Sequence, residues 1–499
     1  MTRHPDRLPG NRELRPGGVR LGGIWDASIE CADLLFGVGP RSERFGRRWV
    51  GGYLALASVL ALIIIARRPD SIIRPQFWAE DGSVFFYEQL TLGFWMALRR
   101  LHGGLPYLAA RLVATLGSAA PTAAIPLVYT TTSIAVTSLA AATFALPSFR
   151  HLVQRDVLRV AVCVAAVCLP AGQDLLTVAC SLGYFVALWL VLLSVMSTPR
   201  TRVGTGLWCM GGALGVLSAH AAPIAAPLWL LRAARGIGRR QPRDVCFAAT
   251  QLVMLLVVIG LAHIDWNATK VAGSVPFFDV QSSYLRGALR ALAPAMAITV
   301  DAALLPATTV RWLQAHGELA LAVPAVAASA AVALTFGTLS SRGRVTVSLA
   351  AYLFVSSLFL ILVGRPVIVE LIEGTVPELS RIGVGVLDAL GTRHRVLPNL
   401  ALLLLAAGVV DAAQLQHTRV AAAAVASAAF LFAWAPTFRI PPYPDLRWPL
   451  WAARLDQKLA SGSREPLVIP LHPVPFVIAF DSPRSRAPDT ARTRGIGTQ

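Results

Sequence analysis

Long apolar runs, separated by short polar segments, occupy most of the chain after residue 48. The first run, residues 49–66, has no convincing small-residue cleavage site after it, so we expect a retained membrane span and not a signal peptide. The other apolar runs lie at residues 121–146, 157–171, 175–197, 204–219, 222–234, 245–263, 318–339, 345–364, 397–410 and 420–436. Several are shorter than the roughly 20 residues that cross a bilayer, which leaves their boundaries open. The pattern predicts an all-α polytopic membrane protein with about eleven transmembrane helices, within a range of roughly 10 to 13.

Composition supports the membrane class. The 499 residues are 55% hydrophobic and 14% charged, with a mean hydropathy of +0.60, which is more apolar surface than a water-soluble core would bury. The net charge of +18 comes almost wholly from arginine, since Lys270 and Lys458 are the only lysines. The arginines are spread between apolar runs and form no single stripe, so they indicate membrane orientation and argue against nucleic-acid binding. The six cysteines show no CxxC spacing, which argues against a zinc site.

Basic loops predict the topology. Five short loops carry arginine and belong on the cytoplasmic side, at residues 147–156, 198–203, 235–244, 340–344 and 411–419. With a cytoplasmic amino terminus and an odd number of spans, we expect the carboxy terminus on the outer side of the membrane. Arg67, Arg68 and Arg74 directly follow the first span and are contrary evidence, which five other loops outweigh.

The chain divides into four regions. Residues 1–48 contain nine arginines among Gly, Pro and Asp, the composition of a disordered cytoplasmic leader. Residues 49–436 form the transmembrane domain, with a first outer loop at 67–120. A small periplasmic tail domain is expected at 437–481, where an amphipathic stretch precedes a short β-like run, and residues 482–499 look disordered.

Other long segments, 264–317 and 365–396, face the same outer side and contain amphipathic pieces that suit interfacial helices. The stretch 284–305 is ambiguous, because the count becomes twelve if it spans. Asp301 lies inside it, and an ionisable residue at such a depth is a functional candidate. Asp174 lies near the predicted membrane surface and could join the site, but we interpret it as the polar residue at the turn of a hairpin.

The most informative motif is Phe77-Trp78-Ala79-Glu80-Asp81-Gly82, an acidic pair directly after the first span. The aromatic residues around it would hold the segment at the headgroup level, where its carboxylates meet a substrate whose lipid tail lies in the bilayer. A carboxylate placed there can accept a proton from a hydroxyl that attacks a sugar carbon. The alternative from the local pattern is that Asp81 simply caps an interfacial helix.

This arrangement resembles the GT-C superfamily of membrane glycosyltransferases, in an uncharacterised bacterial branch. The resemblance rests on the topology and on the segment from FWAEDGSVFFYEQ to LHGGLPY, residues 77–107. It implies a polyprenyl-phosphate sugar as donor, a lipid-linked or cell-envelope glycan as acceptor, and a carboxylate base in the first outer loop. Asp81 is then the candidate base, with Glu80 as its competitor.

A phosphate leaving group needs cations, and the last long outer segment supplies them. Arg393, His394 and Arg395 stand at the mouth of a span, with Arg381 upstream, and paired guanidinium groups suit a lipid phosphate. The alternative is that these arginines anchor the segment at lipid headgroups.

Further candidate substrate-binding residues are His102, His220, Trp78 and Tyr107. No histidine and carboxylate spacing supports a metal site, so the metal is unknown, although a divalent cation shared between Asp81 and a donor phosphate needs few protein ligands.

Two other functions stay open at this stage. A flippase or transporter for a lipid-linked glycan would line its central spans with polar residues, and the runs at 157–171, 245–263 and 420–436 are nearly all Ala, Val and Leu. A glycan polymerase or ligase would share the outer site but usually relies on a larger late outer loop than residues 365–396.

Overall fold

The computed structural model describes residues 21–37, 47–102, 104–170, 176–269, 282–305, 307–316, 318–364, 395–463, 465–473 and 476–480. These residues are mostly helical. The first half of the chain forms α1 (Leu21–Phe36), α2 (Arg47–Arg67), α3 (Asp70–Ile73), a π-helical segment (Asp81–Phe86), α4 (Tyr87–Leu92), α5 (Phe94–Arg99), α6 (Leu108–Gly117), α7 (Ile125–Ala142), α8 (Asp156–Cys168), α9 (Leu182–Val195), α10 (Arg202–Ser218) and α11 (Ala226–Gly238).

The second half forms α12 (Pro242–Thr269), α13 (Ser282–Leu304), α14 (Ala307–Ala315), α15 (Glu318–Phe336), α16 (Ser341–Gly364), α17 (Val396–Ala412), α18 (Gln416–Ala429), α19 (Trp448–Ser461), β1 (Leu467–Pro470) and β2 (Val477–Phe480). The strands pair antiparallel, with Leu467 opposite Phe480 and Pro470 opposite Val477. Short 3-10 or π turns extend several helices, at Thr122–Ala124, Thr143–Ala145, Pro147–Phe149, Ala222–Ala225, Phe430–Trp434 and Ala435–Thr437.

Within the described residues, five helical stretches are long and apolar enough to cross a membrane. They are Trp49–Arg67, Thr122–Ala145, Pro242–His263, Leu285–Leu304 and Ser341–Val363. Shorter apolar helices, among them Leu182–Val195 and Val396–Ala412, pack beside them. The architecture is therefore that of a mostly helical membrane protein, and the stretch that the sequence left ambiguous, 284–305, is a long apolar helix and not a short surface piece.

The five basic loops meet at one end of the helical bundle, which we call the basic end. Nε2 of His151 contacts the Leu35 and Val195 carbonyl oxygens at 2.9 and 3.1 Å. Asp411 accepts a hydrogen bond from the Gln154 backbone N–H at 2.6 Å. The remaining links join Thr198 to Asp244, Arg243 to Pro199, Thr346 to Leu152 and Leu339 to Ala413. Loops that the arginine distribution placed on one side are thus in mutual contact.

At the opposite end, two of the arginines that contradicted the topology, Arg67 and Arg68, have structural partners. Arg67 is fully buried, and its guanidinium donates to the carbonyl oxygens of Val167 at 2.5 Å and Leu169 at 2.9 Å, where α8 ends. It also donates to the Phe438 carbonyl oxygen at 2.9 Å. Carbonyl groups at a helix end have no partner within the helix, and lipid offers them no hydrogen-bond donor. Arg67 supplies that donor for the end of α8.

The amino-terminal leader is not disordered throughout, and that prediction is wrong for Leu21–Phe36, which form α1. Asp33 of α1 pairs with Arg235 at 2.8 Å and with Arg239 at 2.5 Å. Asp244, fully buried, pairs in turn with Arg232 at 3.0 Å and Arg235 at 2.6 Å. Composition near the amino terminus favoured disorder because it contained no sign of these distant partners.

The carboxy-terminal tail forms the predicted amphipathic helix and strand, as α19 and β1, but it is not a separate domain. Its residues share one hydrophobic cluster with the segment around Asp81. The Phe77 ring packs edge-on against Trp448 at 4.8 Å. A Cβ added at Gly82 would lie 2.7 Å from Leu471 and 3.2 Å from Ile478. The absence of a side chain at residue 82 therefore lets the tail lie directly on the acidic motif.

The network around Asp244 generates a stability prediction. Asp244→Asn removes the negative charge that compensates two buried guanidinium groups, and breaking such a pair costs about 3–5 kcal/mol. We expect a clear drop in the apparent Tm of the purified protein. Asp456→Asn is the control, since Asp456 is exposed and, among the described residues, its hydrogen bond comes from the Thr122 hydroxyl. Equal Tm values for the two variants would contradict the importance of the network.

The tight contact at Gly82 generates a second prediction. Gly82→Ala should push Leu471 away and weaken the docking of the tail by about 1–3 kcal/mol, seen as faster hydrogen exchange in β1. Adding Leu471→Ala should restore the space and slow that exchange again. Gly51→Ala is the control, because no atom lies within 4 Å of a Cβ added there. Unchanged exchange in Gly82→Ala would contradict the close contact.

Candidate functional site

Asp81 begins the π-helical segment and points into the protein. Only 3% of the residue is exposed. Its Oδ2 accepts a hydrogen bond from the Ala179 N–H at 2.9 Å, and its Oδ1 accepts one from the Cys180 N–H at 2.7 Å. These two amides precede Ser181, the N-cap residue of α9. One carboxylate therefore ties the acidic motif to the start of a bundle helix 98 residues later in the chain.

The capping alternative is wrong in its local form. Glu80 stands at the N-cap position of the π-helical segment and makes no side-chain cap bond. Asp81 bonds no amide of its own helix among its described contacts, and bonds the backbone before α9 instead. Asp81 does accept hydrogen bonds from backbone N–H groups, but these groups precede α9, which is distant in the chain.

Burial dominates the electrostatics of Asp81. Removal from water raises the pKa of its carboxyl to about 7, although the two backbone hydrogen bonds lower it, and the negative charge of Glu80 raises it further. The carboxyl thus changes charge near neutral pH, where a general base works best.

Glu80 is partly exposed and lies beside the same loop, with the Cys180 thiol 3.7 Å from its Oε2. The negative charge of Glu80 also acts on His102. Burial lowers the pKa of His102, while the charges of Glu80 and Glu88 raise it and that of Arg111 lowers it. At His102, burial thus outweighs the two acidic residues and favours the neutral imidazole.

His102 and Tyr107 flank a tight loop. Two hydrogen bonds join the backbones of His102 and Leu105 at 2.9 and 3.1 Å, and the rings of His102 and Tyr107 are 5.7 Å apart. Tyr107 has a φ of 48°, in the left-handed region, directly before α6. Phe85 packs against both rings, at 6.0 and 5.9 Å. The structure therefore brings these two predicted residues to the motif.

His220 approaches the same helix from another direction. Its ring is 4.5 Å from that of Tyr184, and its Nδ1 is 3.2 Å from the position of a Cβ on Gly183. Both residues are in the first turn of α9, directly after the loop that binds Asp81. His220 and Asp81 thus contact neighbouring parts of one helix start.

Trp78 is part of an aromatic stack that the sequence did not predict. Tyr443 contacts both Trp78 and Arg68: its ring centroid is 5.2 Å from that of Trp78, and the Arg68 guanidinium is 3.5 Å from the Tyr443 centroid. His472 stacks on Tyr443 at 4.8 Å, and its carbonyl oxygen accepts from the Ala79 N–H at 2.5 Å. The sequence marks Tyr443 by the prolines on both sides of it, but the local pattern does not indicate which residues Tyr443 contacts.

Arg395 is the N-cap residue of α17. Because α17 ends at the basic end, where Ala412 accepts from the Ser340 N–H at 3.4 Å, Arg395 lies at the opposite end, as Asp81 does. Arg381, Arg393 and His394 lie outside the described residues, as does Asp174. Asp301 is fully buried in α13, and neither of its carboxylate oxygens has a hydrogen-bond partner among the described residues.

An apolar cavity opens into the bundle between α7, α8, α9, α16 and α17. Ala221 and Ile224, close to His220, line it together with Ala187 of α9 and Leu397 of α17. Leu152 and Val195, near the basic end, line its far part. Ser357 is the one lining residue with a hydroxyl group among those described. The cavity is therefore suited to a hydrocarbon chain.

Within the described part of the chain, no group of three or more His, Cys, Asp or Glu side chains is arranged to hold a metal ion. A divalent cation held largely by a substrate phosphate stays a prediction.

Comparisons of the chain with protein-family models, with curated proteins and with solved structures find no match. The resemblance to the GT-C superfamily therefore stays an interpretation of the sequence.

Proposed function

We propose that this protein is a glycosyltransferase of the bacterial inner membrane, resembling the GT-C superfamily. It transfers a sugar from a polyprenyl-phosphate donor to a lipid-linked or cell-envelope glycan acceptor, at the periplasmic face and with inversion. In this proposal about eleven helices cross the membrane, the amino terminus and the basic end are cytoplasmic, and the Asp81 end and the carboxy-terminal tail are periplasmic.

One observation carries the proposal: the backbone just before α9 bonds a carboxyl whose pKa is raised to about 7, and the second turn of the same helix lines a hydrocarbon cavity. Asp81 bonds the Cys180 amide, and Ala187 lines the cavity. From the start of α9 at Leu182 to Ala187 the helix rises about 7.5 Å, which is the scale of one sugar phosphate. A lipid-linked donor needs this combination, because its chain must leave water while its sugar stays at the catalytic carboxyl.

The reaction balances without a redox partner. The acceptor hydroxyl oxygen forms a bond to the anomeric carbon, while the bond from that carbon to the phosphate oxygen breaks. Polyprenyl phosphate leaves with the electron pair, and the carboxylate of Asp81 takes the acceptor proton. Attack opposite the leaving group inverts the anomeric configuration.

Other residues would bind and orient the substrate. Arg395 starts the helix whose Leu397 lines the cavity, so its guanidinium is suited to the donor phosphate, together with Arg393, His394 and Arg381. His102, His220, Trp78 and Tyr107 lie around the motif, where neutral imidazole and aromatic groups can bond or stack on a sugar. Glu80, which is more exposed than Asp81, is the competing base.

Substitution of the two carboxylates tests the base. Asp81→Asn should lower kcat for sugar transfer by about 10²–10⁴, the usual contribution of a general base, and Glu80→Gln should lower it by less than about tenfold. Each purified variant is assayed with a polyprenyl-phosphate sugar, with its Tm measured as the folding control. Full transfer by Asp81→Asn, or a larger loss in Glu80→Gln, would reject Asp81 as the base.

The pH profile tests the same assignment. A base must be deprotonated, and the pKa of Asp81 is raised to about 7. The wild-type kcat should therefore be constant above pH 7 and fall about tenfold per unit below it. Glu80→Gln removes a neighbouring negative charge and should move the midpoint to lower pH. A profile that is flat down to pH 5 would contradict the role of Asp81.

Filling the cavity tests the donor site. Ala187→Phe places a ring among the lining residues and should raise the KM for a long-chain donor about tenfold or more, while a donor analogue with a very short chain is hardly affected. Ala249→Phe, on the exposed face of α12, is the matched control. An equal effect on long and short chains would mean that the cavity does not hold the chain.

A further inference from the structure

Two cysteines lie where α10 packs against α12. The two helices meet face to face, since the rings of Trp208 and Phe247 stack with centroids 3.8 Å apart and planes 8° from parallel. One turn further along each helix, a Cβ added at Gly212 would lie 2.5 Å from the amide nitrogen of Gln251. Both helices begin at the basic end, so they run parallel. These two contacts fix how the residues of one helix align with those of the other.

Cys209 and Cys246 lie on the same edge of this helix contact. Cys209 follows Trp208 in α10. In α12, Cys246 precedes Phe247. In parallel helices, the position after a contact residue of one helix lies beside the position before a contact residue of the other, as e and g positions of a coiled coil do. The thiol of Cys209 accordingly interacts with the thiol of Cys246, and with the side chain of Thr250 one turn further along α12.

This edge of the helix pair faces the membrane lipid. Both cysteines are free thiols, and Cys246 is exposed while Cys209 is partly exposed. Apolar neighbours on the same outer surface are Leu207, Met210 and Val253, each more than half exposed. Pro242–His263 is one of the stretches long and apolar enough to cross a membrane, and Cys246 lies about 6 Å along this helix from its first residue. The thiols therefore lie in hydrocarbon, near the basic end.

The lipid surroundings decide which chemistry suits this thiol pair. Zn²⁺ takes four ligands, and among the described residues no third His, Cys, Asp or Glu joins the pair. Cu(I) held by two thiolates would leave a net negative charge in hydrocarbon, which costs free energy. A disulfide is neutral, as are the two thiols that form it. Oxidation to a disulfide therefore leaves no charge in the lipid.

We propose that Cys209 and Cys246 are a redox-active dithiol that a lipid-soluble quinone oxidises to a disulfide. The two S–H bonds break and one S–S bond forms, while two electrons and two protons pass to the quinone, which becomes a quinol. A quinone suits this position because it dissolves in hydrocarbon and accepts both electrons and both protons. The disulfide ties α10 to α12 two residues from Asp244, and its formation needs neither Asp81 nor a sugar donor.

Oxidation in liposomes tests the dithiol. The reduced full-length protein is reconstituted and incubated with a short-chain quinone whose ring carbons are all substituted, so that thiols cannot add to the ring. Free thiols are then alkylated, and peptide mass spectrometry of the monomer band measures the disulfide between Cys209 and Cys246. Most wild-type molecules should form it. Formation should be about tenfold or more slower with ferricyanide, a charged oxidant that hydrocarbon excludes.

Moving one thiol provides the matched control. Cys209→Ser combined with Met210→Cys keeps two lipid-facing thiols, but position 210 is turned about 100° further round α10. This variant should form a disulfide with Cys246 about tenfold or more slowly than the wild type, because the two thiols no longer share one edge. Its Tm is measured as the folding control.

Three results would overturn the proposal. The first is a wild-type protein that forms no disulfide between Cys209 and Cys246 with the quinone. The second is an equal rate in the variant with the moved thiol, which would mean that the pair has no preformed geometry. The third is oxidation by ferricyanide as fast as by the quinone, which would mean that the oxidant reaches the thiols from water.

Discussion

The hydrogen bonds from the Ala179 and Cys180 amides to the Asp81 carboxylate are the interaction on which the rest of the site depends. They join the segment after the first membrane helix to the start of α9. The same start of α9 contacts His220, and its second turn lines the apolar cavity. A carboxyl, an imidazole and one wall of the cavity therefore keep fixed positions relative to one another, because all three contact or belong to the same helix.

The membrane adds a second constraint, which explains the buried arginines. Backbone groups at helix ends have no partner in lipid, and guanidinium groups supply several donors each. Arg67 serves the end of α8 at the Asp81 end, and Arg159, fully buried, donates to the Val153 and Gln154 carbonyl oxygens at 2.7 and 3.0 Å before the same helix begins. Some arginines that a count of loop charges would use for topology are therefore structural.

The sequence predicted those parts of the fold that depend on local pattern. The apolar runs at 49–66, 245–263 and 345–364 became long helices because bilayer thickness fixes the length of such a run. The helix α1 was missed because Asp33 finds its arginines about 200 residues later. Asp81 and Glu80 could be proposed from the sequence because charge is conspicuous between aromatic residues, and their catalytic role is still a prediction. The acceptor role of Asp81 for a distant helix and the stack on Tyr443 depend on tertiary contacts. The arginines at 381 and 393 are still predictions.

The electrostatics of Asp81 follow from a balance within a single loop. Two backbone hydrogen bonds to a carboxylate would by themselves hold its pKa below the ordinary value, yet the pKa is raised to about 7 because burial outweighs them. The segment before α9 both covers the carboxyl and donates the two bonds. A small opening of that segment would admit water and lengthen the bonds together, so the two effects oppose each other. The pKa of Asp81 is for this reason less sensitive to motion of the loop than burial or hydrogen bonding alone would make it.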